Sequence, residues 1–286
     1  MAITIDQAHI NTYRDNLHVL LQQGMSKLKG VVPIEYTNGE KHFFDRLGKF
    51  AAGEIVGNFQ DTNVEDAPHS RRMASVKRYH STTYLDDINK FNMLLDPTSD
   101  YVRGVAAALG RKFDDVVIDA LLGTAATGAD GSGSAAFDTS NQQIAAGGTG
   151  LTVSKFNSAL RILENNEVDV DRERLYLIVG AYGVEDLLGE TNFTSFDYQN
   201  KKALGGEGLP MFRGVEIIRS QRVPDSGGSK QAILMSENAV KVAMAEDLRI
   251  ETDIRPDKFH ALQISSYMQM AAVRMDDESV VSILHT

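Results

Sequence analysis

Seven histidines, His9, His18, His42, His69, His80, His260 and His285, are the side chains best suited to acid–base or metal chemistry near neutral pH. None stands in a close ligand pair such as HExxH. The absence of cysteine removes thiolate nucleophiles, thiolate metal sites and disulfides together. Asp169 and Asp171 could hold a divalent cation, the chemistry of a soluble metal-dependent enzyme. Arg172, Glu173 and Arg174 follow, however, where a calcium loop needs glycine and further oxygen ligands. Asp114-Asp115 and Asp86-Asp87 are adjacent pairs, and neighbours on a helix or strand point apart, so they predict exposed charge rather than a facing acid and base. Gly131 and Gly133, like Gly205, Gly206 and Gly208, lack the strand-to-helix setting and the Gly-Lys-Ser/Thr end of a phosphate loop. No Gly-x-Ser-x-Gly elbow occurs. These residues predict no catalytic centre, no metal site and no cofactor.

One charge pattern remains. From Glu54 to Asp66 the chain carries Glu54, Asp61, Glu65 and Asp66 and no basic residue; from Pro68 to His80 it carries Arg71, Arg72, Lys77 and Arg78 and no acid. Strand character in Glu54 to Phe59 and Met73 to Tyr84, around turn residues Asn63, Asp66 and Pro68, reads as a long β-hairpin, acidic going out and basic coming back. Cross-strand pairs in a solvated hairpin contribute little. Set against another subunit, the same charges would fix its orientation, and these eight residues are the candidate inter-subunit contacts.

The elements that would position this hairpin are legible on either side. Residues 1–50 alternate apolar pieces (Leu17 to Leu21, Val31 to Ile34, Phe43 and Phe44) with turn signals, as an extended arm would. A helix of about 40 Å runs from Pro97 to Leu122, with Asp96 as its cap and Gly123 as its stop. Its apolar stripe holds Val102, Val105, Ala106, Leu109, Phe113, Val116, Val117, Ala120 and Leu121. Residues 123–150, rich in Gly, Ala, Ser and Thr, read as a long surface loop. A helix over Ser154 to Asn165, a strand over Leu175 to Val179 and a short helix over Val184 to Leu188 make an α/β unit. Strands are then expected at Val215 to Arg219, Gln231 to Met235, Leu262 to Met270 and Val280 to Leu284.

Composition bounds the rest. The 286 residues are 42% apolar and 24% charged, which fits a folded globular chain. No apolar run is long enough to cross a membrane as a helix, and the N-terminus reads as having no secretion signal. The net charge of −10, concentrated beyond residue 124, argues against a surface devoted to gripping phosphate.

This order of parts resembles the major capsid proteins of tailed bacteriophages, whose shared fold is the Hong Kong 97 type. The residues that carry the resemblance are LLDPTSDYVRGVAAALGRKFDDVVIDALLG at 94–123, similar to the family's spine helix, and GLPMFRGVEIIRSQRVP at 208–224, similar to its Gly-Val strand and Pro-terminated edge. The stretch 231–284 resembles its closing strands. The resemblance implies an α+β fold with an N-terminal arm over 1–50 and an extended β-hairpin loop over 51–90. It implies a peripheral domain over 91–174 with a spine helix at 97–122, an axial domain over 175–270, and a returning peripheral strand over 271–286.

It further implies a non-enzymatic subunit that self-assembles, as hexamers and pentamers, into an icosahedral shell enclosing double-stranded DNA. A separate scaffolding protein, a portal and a decoration protein would be its partners, with packaged DNA contacted only weakly and no membrane. It would reside in the virion after assembly in the host cytoplasm. No Lys–Asn crosslink is expected, since nothing marks Lys77 or Asn63 as members of a trio with a glutamate. An encapsulin-like nanocompartment shell is the alternative within the same fold, and a phage neck or tail component is another.

Overall fold

The computed structural model describes residues 25–50, 52, 54, 66–85, 98–190, 211–226 and 228–286. The segment Leu17 to Leu21, the outgoing strand over 55–59, Asp61, Glu65 and the helix cap at Asp96 and Pro97 lie outside them. The chain begins with β1 (Ile34–Tyr36), β2 (Lys41–Leu47), β3 (His69–Ser75), β4 (Lys77–Leu85) and the long helix α1 (Thr98–Leu122). Three short strands, β5 (Ala125–Thr127), β6 (Gly133–Ala135) and β7 (Gln143–Ile144), lead to α2 (Val153–Asn165), β8 (Leu175–Val179) and α3 (Ala181–Gly189). Then come β9 (Val215–Arg219), β10 (Asp225–Ser226), β11 (Ser229–Ser236), β12 (Val240–Arg255), β13 (Ala261–Arg274) and β14 (Val280–His285). Among the described residues these strands form three sheets in a mixed α+β fold.

α1 buries the expected stripe, with Val105, Leu109, Phe113, Val117 and Leu121 all inside. It lies on the sheet β1-β12-β13-β4, whose Val242, Met244, Met268 and Met270 share its core. The period of two sends Ala243, Ala271 and Val273 to the opposite face, where a second layer packs. Asp114 departs from the exposed-charge expectation. It is fully buried, and its carboxylate accepts the Lys27 and Leu28 N–H groups and the Ser26 hydroxyl. A buried carboxylate needs such donors, and here they come from a segment far away in sequence. Its neighbour Asp115 faces outward and pairs with Arg222.

The second sheet runs β7-β14-β11-β8-β9, with β10 on β11. Both of its faces are covered. Tyr176, Ile178, Ile233, Met235 and Val280 face the α1 core, while Leu175, Leu177, Val179, Leu234, Val281 and Ile283 face α2 and α3. Double burial is why LYLIV reads as an unbroken apolar run. Thr152 caps α2 by accepting the Lys155 N–H.

β12 and β13 pair with each other, and β13 pairs with β4, beneath α1. The 280–284 strand pairs with β11 and β7 in the second sheet. β14 is apolar on both sides, and only a sheet covered on both faces can bury Val280 together with Val281 and Ile283.

The third sheet, β2-β3-β5-β6, corrects the hairpin. Met73 to Tyr84 is two strands that break at Val76, and β3 pairs with β2, from Lys41 opposite Ser75 to Leu47 opposite His69. Phe43 and Phe44 therefore belong to this hairpin's stem and not to the arm, because Phe44 and Ala74 complete the layer over Ala243, Ala271 and Val273. The 123–150 segment is also more than a surface loop. β5 and β6 extend the third sheet, Ala125 and Gln142 are buried, and Phe137 packs on the α1 core. Gly131 is required in the β5–β6 turn: its φ is +80°, and a Cβ there would stand 2.3 Å from the Met73 sulfur.

Candidate assembly surfaces

The charged strand is held by its own subunit at two points. Arg72 is 5% exposed and ion-paired with Asp277 in the turn between β13 and β14. Asp277 also takes a 2.7 Å bond from Arg274 Nε. Arg274, fully buried at the end of β13, donates through Nη1 to the carbonyls of Leu121 (2.9 Å) and Gly123 (2.7 Å) and through Nη2 to that of Ala135 (3.1 Å). The last carbonyls of a helix lack partners and carry the negative end of its dipole, so a buried guanidinium suits them. One cluster thus joins the end of α1, β6, the β13–β14 turn and the stem of the extended hairpin.

Arg71 sits opposite Asp45 on β2, its Nε 2.7 Å from the carboxylate and its guanidinium over the Phe43 ring. This is the cross-strand pairing of a solvated hairpin, so the described partners of Arg71 and Arg72 belong to the same chain and not to the acidic 54–66 stretch. Glu54 and Asp66 are exposed, and so are Lys77 and Arg78 on β4. Arg78 borders a shallow depression of about 430 Å³ shared with Glu246, Arg249 and Glu251. Lys49, just past the stem, bonds Glu167 at 2.9 Å and the Asn166 carbonyl at 3.0 Å; the Glu167 bond holds its amine above the usual lysine range. Bonding to Lys241 keeps the Glu35 carboxyl below its usual range and ties β1 to β12.

A second projecting feature had no clear signal in the sequence. β12 and β13 extend well beyond β1 to a tip where Phe259 is 92% exposed and Ile254 64%. In the five-residue connection 256–260, Phe259 and His260 both have positive φ, 50° and 59°, a left-handed conformation that ordinarily favours glycine or asparagine. An aromatic in that conformation is strained and points into solvent.

The rival chemistry is not assembled. Asp169 accepts the Arg172 N–H in a local turn at 3.2 Å, and Asp171 is exposed. Among the described residues no three His, Cys, Asp or Glu side chains converge as metal ligands. Arg274, Asp277 and Asp114 were missed as organising residues. A sequence reading could have flagged Arg274 only as the one charge in an otherwise uncharged strand.

The relatives of this chain share one architecture. The capsid of cyanophage Pam1 superposes with a TM-score of 0.74 at 12% identity, over 96% of this chain and 95% of that one. The capsid of Helicobacter pylori bacteriophage KHP30 gives 0.73 at 9% identity over 96% and 95%. A structure from Mycobacterium phage Che8 gives 0.72 at 15% identity over 96% of both chains. The expected Hong Kong 97-type capsid fold is therefore the one observed. No curated protein matches the sequence. The family model described as phage capsid protein matches residues 5–286, and the chain belongs to that family.

Proposed function

We propose that this major capsid protein is a non-enzymatic subunit that assembles, as hexamers and pentamers, into an icosahedral shell around double-stranded DNA. The observation that carries the reading is the family match over residues 5–286, with capsid folds agreeing over nearly the whole chain. The projecting features fit the role, since hairpins that lie on neighbours bury area no isolated subunit can. The excursion between β2 and β3, with Glu54, Asp61, Glu65 and Asp66, carries the acid of the contact. Lys77 and Arg78, exposed on β4, carry the base, and Phe259 supplies an apolar anchor at the second tip. Scaffolding, portal and decoration proteins are its partners in assembly, which takes place in the host cytoplasm. The acidic balance of the chain suits a wall that holds packaged phosphate weakly.

Electron microscopy of the purified protein tests this reading. Closed shells of uniform size are expected, and a small soluble oligomer under all conditions that preserve the fold overturns it. DNA-filled particles separate a phage head from a protein-storing nanocompartment.

A further inference from the structure

His285 closes β14, and its imidazole is 1% exposed. Neither ring nitrogen has a hydrogen-bond partner among the described residues. The ring lies against the first turn of α3, where a Cβ on Gly183 would stand 3.1 Å from Nε2. Asp186, one turn further along α3, holds a carboxylate oxygen 3.6 Å from Nδ1 and accepts the Leu151 N–H at 2.7 Å. From α2, Lys155 Nζ donates to the carbonyls of Ala146 (2.7 Å), Thr149 (2.8 Å), Gly150 (3.0 Å) and Leu284 (3.2 Å). On β11, Lys230 stands opposite His285, its amine over the Tyr182 ring. The 146–151 segment adds no ionisable side chain, and it receives the Thr286 N–H through Thr149 at 3.2 Å. The imidazole therefore faces one carboxylate, two ammonium groups and the positive end of a helix.

We propose that these groups form an acid-sensitive clasp: neutral His285 lets the end of β14 lie buried between α2 and α3, and its protonation loosens residues 284–286 and the 146–151 segment together. A proton taken up from solvent would place a third cation beside one carboxylate, in a position where the adjacent helix end opposes positive charge. Burial holds the imidazole below its ordinary value; Asp186 and the neighbouring Thr286 backbone oppose that shift, and Lys155 and Lys230 reinforce it. A depressed histidine contributes stability that is complete above the unfolded value of about 6.5 and is lost as pH falls towards the folded one. The clasp lies within one subunit and operates whether or not shells form.

Hydrogen exchange followed by mass spectrometry on the full chain tests it. Between about pH 7.5 and pH 5, protection at 281–286, corrected for intrinsic rates, is expected to fall about tenfold or more, while protection at β8 holds. In His285→Gln, whose amide stays neutral, the acid-dependent fall is expected to vanish. An unchanged protection in the parent, or the same fall in His285→Gln, overturns the proposal. If that variant does not fold, the parent's imidazole is titrated by NMR. A midpoint below about 6.5 that tracks the loss of protection supports the clasp, and a midpoint at or above that value overturns it.

Discussion

At the end of α1, Arg72 and Arg274 share Asp277; at the start of α3, Lys155 and His285 lie near Asp186. Each region sets basic groups around one carboxylate, and their chemistry diverges from there. Guanidinium groups stay charged at every accessible pH, and Arg274 is further engaged by three backbone carbonyls, two of them at the negative end of a helix. His285 carries a group that can lose its charge, held below its ordinary value by burial, and it packs on the positive end of a helix. Basic groups around a single carboxylate therefore build a permanent joint in one place and an acid-sensitive one in the other. What differs is which end of a helix the cation meets.

The largest effect is expected from Arg274→Met. Removing one partner from a buried ion pair typically costs about 3–5 kcal/mol, and here Asp277 would keep only Arg72 while the Leu121, Gly123 and Ala135 carbonyls lose their donor. Chemical denaturation should show that loss, equal at pH 7.5 and pH 5, or the variant should be insoluble. A loss that grows with acid would erase the contrast between the two clusters. Lys155→Met comes next, since it leaves four carbonyls without their shared donor. A loss of about 1–3 kcal/mol, with faster exchange at 146–151 already at neutral pH, is expected.

Asp186→Asn sharpens the comparison from the other side. It removes the one carboxylate that favours the charged imidazole, so the folded histidine value drops further and the stability lost on acidification grows. A smaller acid loss than in the parent would show that Asp186 is not what faces the ring. The smallest folding effect is expected for Lys77→Glu with Arg78→Glu. Exposed substitutions usually stay within about 0.5 kcal/mol, so melting should hold while particle formation becomes defective or salt-sensitive. Normal shells at low and high ionic strength would leave the hairpin's apolar residues as the only adhesive.

Much of the secondary structure could be read from local pattern. α2 announces itself by buried residues at helical spacing, and β8, β9, β11 and β14 by short runs rich in buried apolar residues. β12 did not, because its outer half, Leu248 to Arg255, is largely exposed on both faces and so shows no clean alternation of buried and exposed positions. The β2–β3 pairing was hidden for another reason: its two strands are separated in sequence by residues 48–68, and register across such a gap leaves no local mark. For the candidate contacts, the sequence located the charges but not their partners. Asp45 and Asp277 claim Arg71 and Arg72, leaving Lys77 and Arg78 exposed.

Sequence alone determined the spine helix, the apolar faces that bury it, and the resemblance to capsid subunits. These rest on neighbours in the chain, where side-chain period and turn chemistry act directly. Tertiary structure alone decided which strands share a sheet and which charges are buried. It brought a cation from β13 to the end of α1, whose last turn has no basic residue of its own, and it set a histidine from β14 against the first turn of α3. Partners so remote in sequence are chosen by what the folded core can desolvate and satisfy, because a buried charge is tolerated only where bonds or opposite charge meet it.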